Sequence, residues 1–446
     1  MILDKYDAYK ASGIDWLAQI PSQWKVKRIK DIIYYIDQGW SPNAENRTVA
    51  NDEWGVLKLS AVKNGIYYEN EHKALSINTV PNHNFKVREN DILITRSNTP
   101  QLVGDSCIVK KNMYNLMYSD LIYKLKLQHS EYNARYLVYF LISAKNRFQI
   151  VCSARGLNTS MVKISQTAIR NWQCVFPRSI NKQIRIANFL DKQTSSIDKR
   201  IELSDYKIKK YGELKEELIN ETVCRGLNKE VELKESNVDW IKLTPKNWKT
   251  ARIKNIFDER VEKNLSDNGE PVTKNILSVL KDIGVINHRD KGNVGNKMAK
   301  DITGYKLVYP NDIVVNKMNV LIGSVGISRE FGALSVVYIV LKTKLENSPR
   351  YYDYVFRSKY FQRYLRTIAT GILEIREAVN MTLFGQQELP NPEYEEQEAI
   401  ADYLDDKCSK IDKIIQKSKQ QIDLLKEFRK TLISDVVTGK VRVNHE

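Results

Sequence analysis

The chain has 446 residues, 42% of them hydrophobic, and a formal net charge of +16. This length exceeds one ordinary core and suits two domains with connectors; no apolar run approaches the length needed to span a bilayer. The five cysteines (Cys107, Cys152, Cys174, Cys224 and Cys408) are odd in number, scattered and never in a CxxC pair, and the first residues lack the apolar core of a signal peptide. These features argue against a disulfide framework or a zinc cluster and set the expectation of a reducing cytoplasm.

In chain order, the first distinctive segment is DWLAQIPSQWKVKRIKDI, Asp15 to Ile32. A mixed region follows, about 25–180. Leu121, Tyr123, Leu125 and Leu127 alternate with polar residues there, predicting a half-buried strand. Asp91 to Ile94 reads as a buried strand after Asn90. Residues 183–224 predict one long helix without Gly or Pro until Gly212. Its apolar seam runs Ile197, Ile201, Ser204, Ile208, Tyr211, Lys215, Leu218 at heptad spacing.

Then the pattern returns. Asp239 to Ile256 reads DWIKLTPKNWKTARIKNI, identical to the first segment at nine of eighteen positions. A second mixed region, about 249–394, offers Asp312 to Val315 after Asn311 as a buried strand, and Val336, Tyr338 and Val340 as an alternating one. A second long helix carries Cys408, Ile411, Ile415, Ser418, Ile422, Leu425, Arg429 and Leu432 in the same heptad phase. Its start, Ile400 to Asp412, matches Ile186 to Asp198 at seven of thirteen positions. The repeat order A-B-A-B predicts two similar halves related by a pseudo-two-fold, with the two long helices packed antiparallel. Some forty helical residues would span about 60 Å, enough to hold two domains one DNA turn apart.

Charge placement sharpens this. Residues 1–182 hold 25 Lys and Arg against 15 Asp and Glu, and residues 231–396 hold 25 against 21; each helical segment, 183–230 and 397–446, holds 10 against 9. A basic surplus concentrated on two globular regions beside a nearly neutral scaffold suits polyanion-binding surfaces.

The Trp-x-x-x-x-Pro-x-x-Trp opening, the two divergent regions and the two matched helices together resemble the DNA-specificity subunit of type I restriction-modification systems. The closing stretch Leu432 to Val441 is also similar to that family's C-terminal end. The resemblance covers essentially the whole chain. It implies an α+β fold with two similar target-recognition domains, 1–182 and 231–396, joined by two long antiparallel coiled-coil-like helices, 183–230 and 397–446. It further implies a non-catalytic subunit that reads a bipartite sequence in double-stranded DNA, with the helices setting the gap. Methyltransferase (modification) subunits and restriction/motor subunits would dock on it. One departure stands out: the central helix closes Thr222-Val223-Cys224-Arg225-Gly226, one residue longer before its glycine than the C-terminal copy.

Base-edge reading favours Arg and Lys on guanine and Asn and Gln on adenine. The candidate DNA-contact residues of the first domain are Arg96, Ser97, Asn98 and Gln101, in a polar stretch read as an exposed loop. Two turn-like segments add Lys63 and Asn64, and Arg155 and Asn158. The second domain offers Arg289, Lys291 and Asn293, then Lys317 and Asn319, and Arg376. For any one of these, an ordinary solvated side chain is the competing reading. Trp16, Trp24, Trp240 and Trp248 are read as packing a framework corner, not as base-stacking residues. Helix-pair packing is expected from Ile197, Ile201, Ile208, Tyr211 and Leu218 against Ile411, Ile415, Ile422, Leu425 and Leu432.

Asn391-Pro392-Glu393-Tyr394 differs from the Asn-Pro-Pro-Tyr element of adenine methyltransferases and lacks an accompanying Gly-rich cofactor loop; no Walker motif or clustered histidine occurs. No cofactor or metal is expected. The rival reading is a coiled-coil scaffold that binds nucleic acid without sequence preference; a second is an enzyme with an unrecognised site.

Overall fold

A computed structural model describes residues 4–50, 52–111, 114–128, 130–156, 161–281, 283–292, 297–317, 323–344, 346–368 and 380–443. It is α+β and divides into two compact units. One comprises Met1–Ser204 with Gln420–Glu446, the other Asp205–Lys419. Two helices dominate, Ile180–Arg225 (the central helix) and Tyr394–Val437 (the C-terminal helix). Each contributes to both units. Among the described residues no helix is long and apolar enough to cross a membrane, and no group of His, Cys, Asp or Glu could hold a metal ion.

The first unit is built on an antiparallel four-stranded sheet in the order Ser106–Ile108, Ile92–Thr95, Ile122–Leu127, Ile33–Gln38. The second repeats it with Val325–Ile327, Ile313–Asn316, Tyr338–Thr343, Phe257–Glu259. The register repeats too. Ile92 faces Ile108 and Leu125, and Ile313 faces Ile327 and Leu341. Ahead of the second strand in each sheet stands an asparagine with positive φ, Asn90 at 67° and Asn311 at 73°. Asparagine tolerates this left-handed conformation better than most residues. The following aspartate closes the turn: Asp91 Oδ2 accepts from Arg88 N and Asp312 Oδ2 from Tyr309 N, both at 2.8 Å.

Two sequence expectations need correction here. The strand Ile122–Leu127 alternates only at its end, where Lys126 is exposed between Leu125 and Leu127; Tyr123 and Lys124 before it are buried alike. Lys124 is accommodated by Asp91 at 3.9 Å and by the Tyr118 ring. Burial depresses the Lys124 ammonium and raises the Asp91 carboxyl, each offset in part by the other's charge. In the second unit Val336 lies outside the strand and is exposed.

Each sheet is tied to the helices by the same set of bonds. In the first unit Gln183, 1% exposed, accepts from Asn133 N (2.9 Å) and donates to the carbonyls of Pro177 and Glu131 (both 3.1 Å). In the second, Gln397 accepts from Ser348 N (2.7 Å) and donates to Pro392 O (2.8 Å). Asn133 and Ser348 cap the short helices Ala134–Leu141 and Pro349–Arg357. From those helices, Tyr136 donates to Val437 O and Tyr351 to Val223 O, both at 3.0 Å. One turn on, Tyr139 donates to Asp191 and Tyr354 to Asp405, while Arg135 pairs with Asp191 and Arg350 with Asp405.

The tryptophans of the repeated opening lie in these corners. Trp24 and Trp248 are buried. Each rests where a β-carbon on a helix-terminating glycine would be crowded, Gly439 (φ 74°) for Trp24 and Gly226 (φ 73°) for Trp248. Glycine supplies both the left-handed cap and the room. The extra residue before Gly226 leaves Val223, gripped by Tyr351, three positions ahead of its glycine; Val437 is two ahead of Gly439.

The helices run antiparallel in each unit. In the first, Ile197 near the start of the central helix shares a core with Leu425 and Leu432 near the end of the C-terminal helix, and Ile201 packs against it. In the second, Ile219 and Val223 share a core with Ile400, Leu404 and Cys408, with Leu218 packed against it. Ile411 and Ile422 are buried; Ile208, Tyr211 and Ile415 are half-buried.

Candidate nucleic-acid interface

In the first unit the sheet has two unlike ends. One carries the Asn90–Asp91 turn and borders a recess lined also by Arg135, Ile180 and Ile184 of the helical framework. The other is where Thr95 meets Ile122 and Ile94 meets Ser106. Most candidate residues of this unit belong to that second end.

Arg96 leaves the strand Ile92–Thr95 half-buried, its guanidinium donating to Asp120 O at 3.3 Å. The next residues do not form the exposed loop expected. Ser97–Asn98 is a short strand paired with Val162–Lys163. Ser97 is fully buried and its hydroxyl lacks a hydrogen-bond partner, so this side chain is withdrawn from any ligand. Asn98 is half-buried, its side-chain oxygen accepting from Thr99 N at 2.8 Å. Gln101 is exposed.

The small ladder continues to Arg155, which exchanges two backbone hydrogen bonds with Lys163 (2.9 and 2.8 Å), while Ile164 N donates to Arg96 O at 2.9 Å. Two stretches distant in sequence thus bring Arg96, Arg155 and Lys163 onto adjoining backbone. Arg155 and Lys163 are exposed. Sequence reading missed Lys163, whose place depends on a pairing 66 residues long in sequence (Ser97 with Lys163). It missed Arg147 too, which donates to Pro100 O at 2.7 Å and braces the same loop; burial lowers its guanidinium's affinity for the proton, and Asp105 opposes the shift.

Lys63 and Asn64 are exposed on a hairpin, Val62–Lys63 with Ile66–Tyr67. Asn64 (φ 50°) and Gly65 (φ 82°) form its turn, both in the left-handed region that two-residue hairpin loops favour. Asn64 N donates to Asp105 Oδ2 at 2.8 Å. Burial raises the Asp105 carboxyl, opposed by this bond and by Ser106 N. The turn glycine bridges to Cys107 on the edge strand of the sheet.

In the second unit the comparable hairpin, Leu277–Leu280 with Gly284–Asn287, also reaches the edge strand, where a β-carbon on Gly284 would touch Gly326. Beyond it, His288–Lys291 forms a 3-10 turn capped by Asn287, with Arg289 exposed and Lys291 half-buried. Lys317 follows the strand Ile313–Asn316 at the sheet end equivalent to that of Arg96, and is half-buried. Asn158, Asn293, Asn319 and Arg376 lie outside the described residues. The first unit thus brings basic and amide side chains together near one sheet end, and the second places Lys317 at the equivalent end, an arrangement suited to phosphate contact.

Comparison with known proteins agrees in kind. Residues 21–206 match the model of the type I restriction modification DNA specificity domain. The specificity subunit of the type I restriction enzyme EcoEI of Escherichia coli is 34% identical over 160 residues, covering 36% of this chain and 27% of that protein; the match thus spans little more than a quarter of that relative. The putative type I restriction enzyme MjaX specificity subunit of Methanocaldococcus jannaschii is 22% identical over 447 residues, 96% of both chains. A chain of a solved type I R-M system shares the fold, with a TM-score of 0.68 at 14% identity over 94% of this chain and 98% of that one. The HsdS subunit of Thermoanaerobacter tengcongensis does so with a TM-score of 0.54 at 14% identity, over 95% and 98%. Residues 21–206 are thus similar to that specificity domain, and the chain as a whole is similar in sequence and length to a type I restriction enzyme specificity subunit.

Proposed function

We propose that this chain is the DNA-reading subunit of a type I restriction-modification complex. Each unit reads one part of a split target. Methyltransferase subunits and restriction subunits assemble with it and carry the chemistry. The observation that carries the reading is the doubled sheet, in one strand order and one register, fastened by equivalent glutamine and tyrosine bonds to two antiparallel helices. A doubled framework with unlike turns at the sheet ends suits an asymmetric two-part sequence. Arg96, Arg155, Lys163, Gln101 and Lys63 are proposed to contact DNA from the first unit, and Arg289, Lys291 and Lys317 from the second. The recognition role needs no catalytic group on this chain.

Mapping of methylated bases in cells carrying the chain with its methyltransferase subunit tests this. A single motif of two short specific parts separated by a fixed unspecified gap is expected. Methylation without a split motif, or binding to random duplexes as strong as to the mapped site over a salt titration, would refute it.

A further inference from the structure

Among the described residues, the two most exposed large apolar side chains stand three positions apart beside one turn of the first unit. Ile77 is 96% exposed and Val80 81%. The strand before them, His72–Leu75, is well anchored. Ala74 and Leu75 are buried, and the strand pairs with Ala44–Glu45 on one side and Trp54–Leu57 on the other. The chain then reverses, Thr79 N donating to Ser76 O at 2.8 Å. Asn43 braces the turn: its carbonyl accepts from Ser76 N at 3.1 Å and from the Thr79 hydroxyl at 3.4 Å. Ile77 and Asn78 form the tip, and Asn78 is exposed as well.

Bonded segments lead from this turn to the sheet end where Arg96 lies. The strand Ile33–Gln38 runs out at that end, with Gln38 facing Tyr123. Beyond it Gly39 N donates to Ile122 O and Trp40 N to Tyr118 O, both at 3.2 Å. Ser41 pairs with Asp120, its hydroxyl donating to the carboxylate and accepting from Asp120 N at 3.2 Å. The carbonyl of the same Asp120 holds the Arg96 guanidinium. Asn43, the brace of the turn, follows Ser41 by two residues. The tip therefore extends the proposed DNA-contact end, in a region where 25 Lys and Arg outnumber 15 Asp and Glu.

A lone exposed apolar residue is ordinary. An isoleucine and a valine held out together by a braced turn, beside a surface suited to phosphate, match an apolar feature on the same ligand. Duplex DNA offers one in the major groove, the thymine C5-methyl, next to the N6 and N7 atoms of the paired adenine. An apolar side chain can cover the methyl, and an asparagine amide can bond both adenine atoms. Isoleucine is also stiff about χ1, so it loses little freedom on contact. We propose that the turn 76–79 reads one A·T pair in the part of the target taken by the first unit. Ile77 covers the thymine methyl, Asn78 bonds the adenine edge, and Val80 flanks the contact. This rests on the proposed reading of a split DNA site.

The test uses the chain assembled with its methyltransferase subunit and duplexes carrying the motif mapped for that complex. Each thymine is replaced in turn by uracil, which lacks only the methyl. One replacement, in one part of the target, is expected to weaken binding about four-fold, the worth of one buried methyl group. Ile77→Ala is expected to bind the thymine and uracil duplexes alike at that position. Asn78→Ala is to relax the choice of base at the same pair about ten-fold. Because Ile77 is so exposed, alanine there should leave the unfolding midpoint in place, which separates a lost contact from a lost fold. The uracil series on the unaltered chain needs no variant: no effect at any thymine overturns the proposal. An equal uracil effect in Ile77→Ala overturns it too, as does an Ile77→Ala chain that folds but no longer assembles, since the turn would then meet a protein. An unaltered complex that prefers the mapped duplex no more than random ones would instead refute the proposed function itself.

Discussion

Gln183 is the residue on which the attachment of the first sheet turns. From a buried position near the start of the central helix, its amide satisfies the N–H of Asn133 and the carbonyls of Glu131 and Pro177. Leucine would fill similar space and satisfy none of them. Gln183→Leu is therefore expected to lower the unfolding free energy by about 1–3 kcal/mol, measurable by urea titration. The basic cluster gives a different kind of prediction. Lys163 is exposed and Ser97 is sealed, yet both lie on one short ladder. Lys163→Ala should weaken DNA binding and, if the side chain meets a phosphate, reduce the slope of log affinity against log salt by about one. Ser97→Ala should leave both affinity and slope unchanged. Equal effects from the two substitutions would remove the ladder from the interface.

At the scale of elements, the framework was legible and the reading surface was not. The repeated opening, the Asn-Asp turns and the heptad seam are local signals, set by residue type and short spacing. The burial of Trp24 and Trp248 against glycines past the helix ends accords with a framework corner. The strand Ser97–Asn98 could not be read locally, because its partner lies at Val162–Lys163 and its residues are polar. Lys124 misled for a related reason: a lysine marks a solvated face until a distant aspartate pairs with it in the interior. The turn asparagines carry a prediction at this scale. With φ at 67° and 73°, Asn90 and Asn311 sit where a β-carbon is penalised and amide side chains are tolerated. Asn311→Ala should cost about 1 kcal/mol, and Asn311→Gly much less, read as shifts in the unfolding midpoint. Comparable losses for both would mean that the amide, not the left-handed backbone, holds the turn.

The whole molecule makes one demand that neither unit makes alone, that two long helices agree in length. Deleting seven residues from the central helix between Asp198 and Lys215, for instance 205–211, keeps its seam in phase but brings Asp198 seven residues closer to Lys215. The C-terminal helix then no longer matches. Removing the equivalent seven, 419–425, restores the correspondence, since Asp198 again meets Arg429, Lys215 again meets Asp412, and both seams keep their heptads. The paired deletion should accordingly fold better than either single deletion. It should also shorten the gap in the methylated motif by about three base pairs, as seven helical residues rise about 10 Å. Three base pairs also turn the duplex by nearly a third of a helical repeat, so affinity is expected to fall even where the shortened gap is read. A paired deletion that folds, assembles and methylates at the original gap would show that the helices do not measure the target.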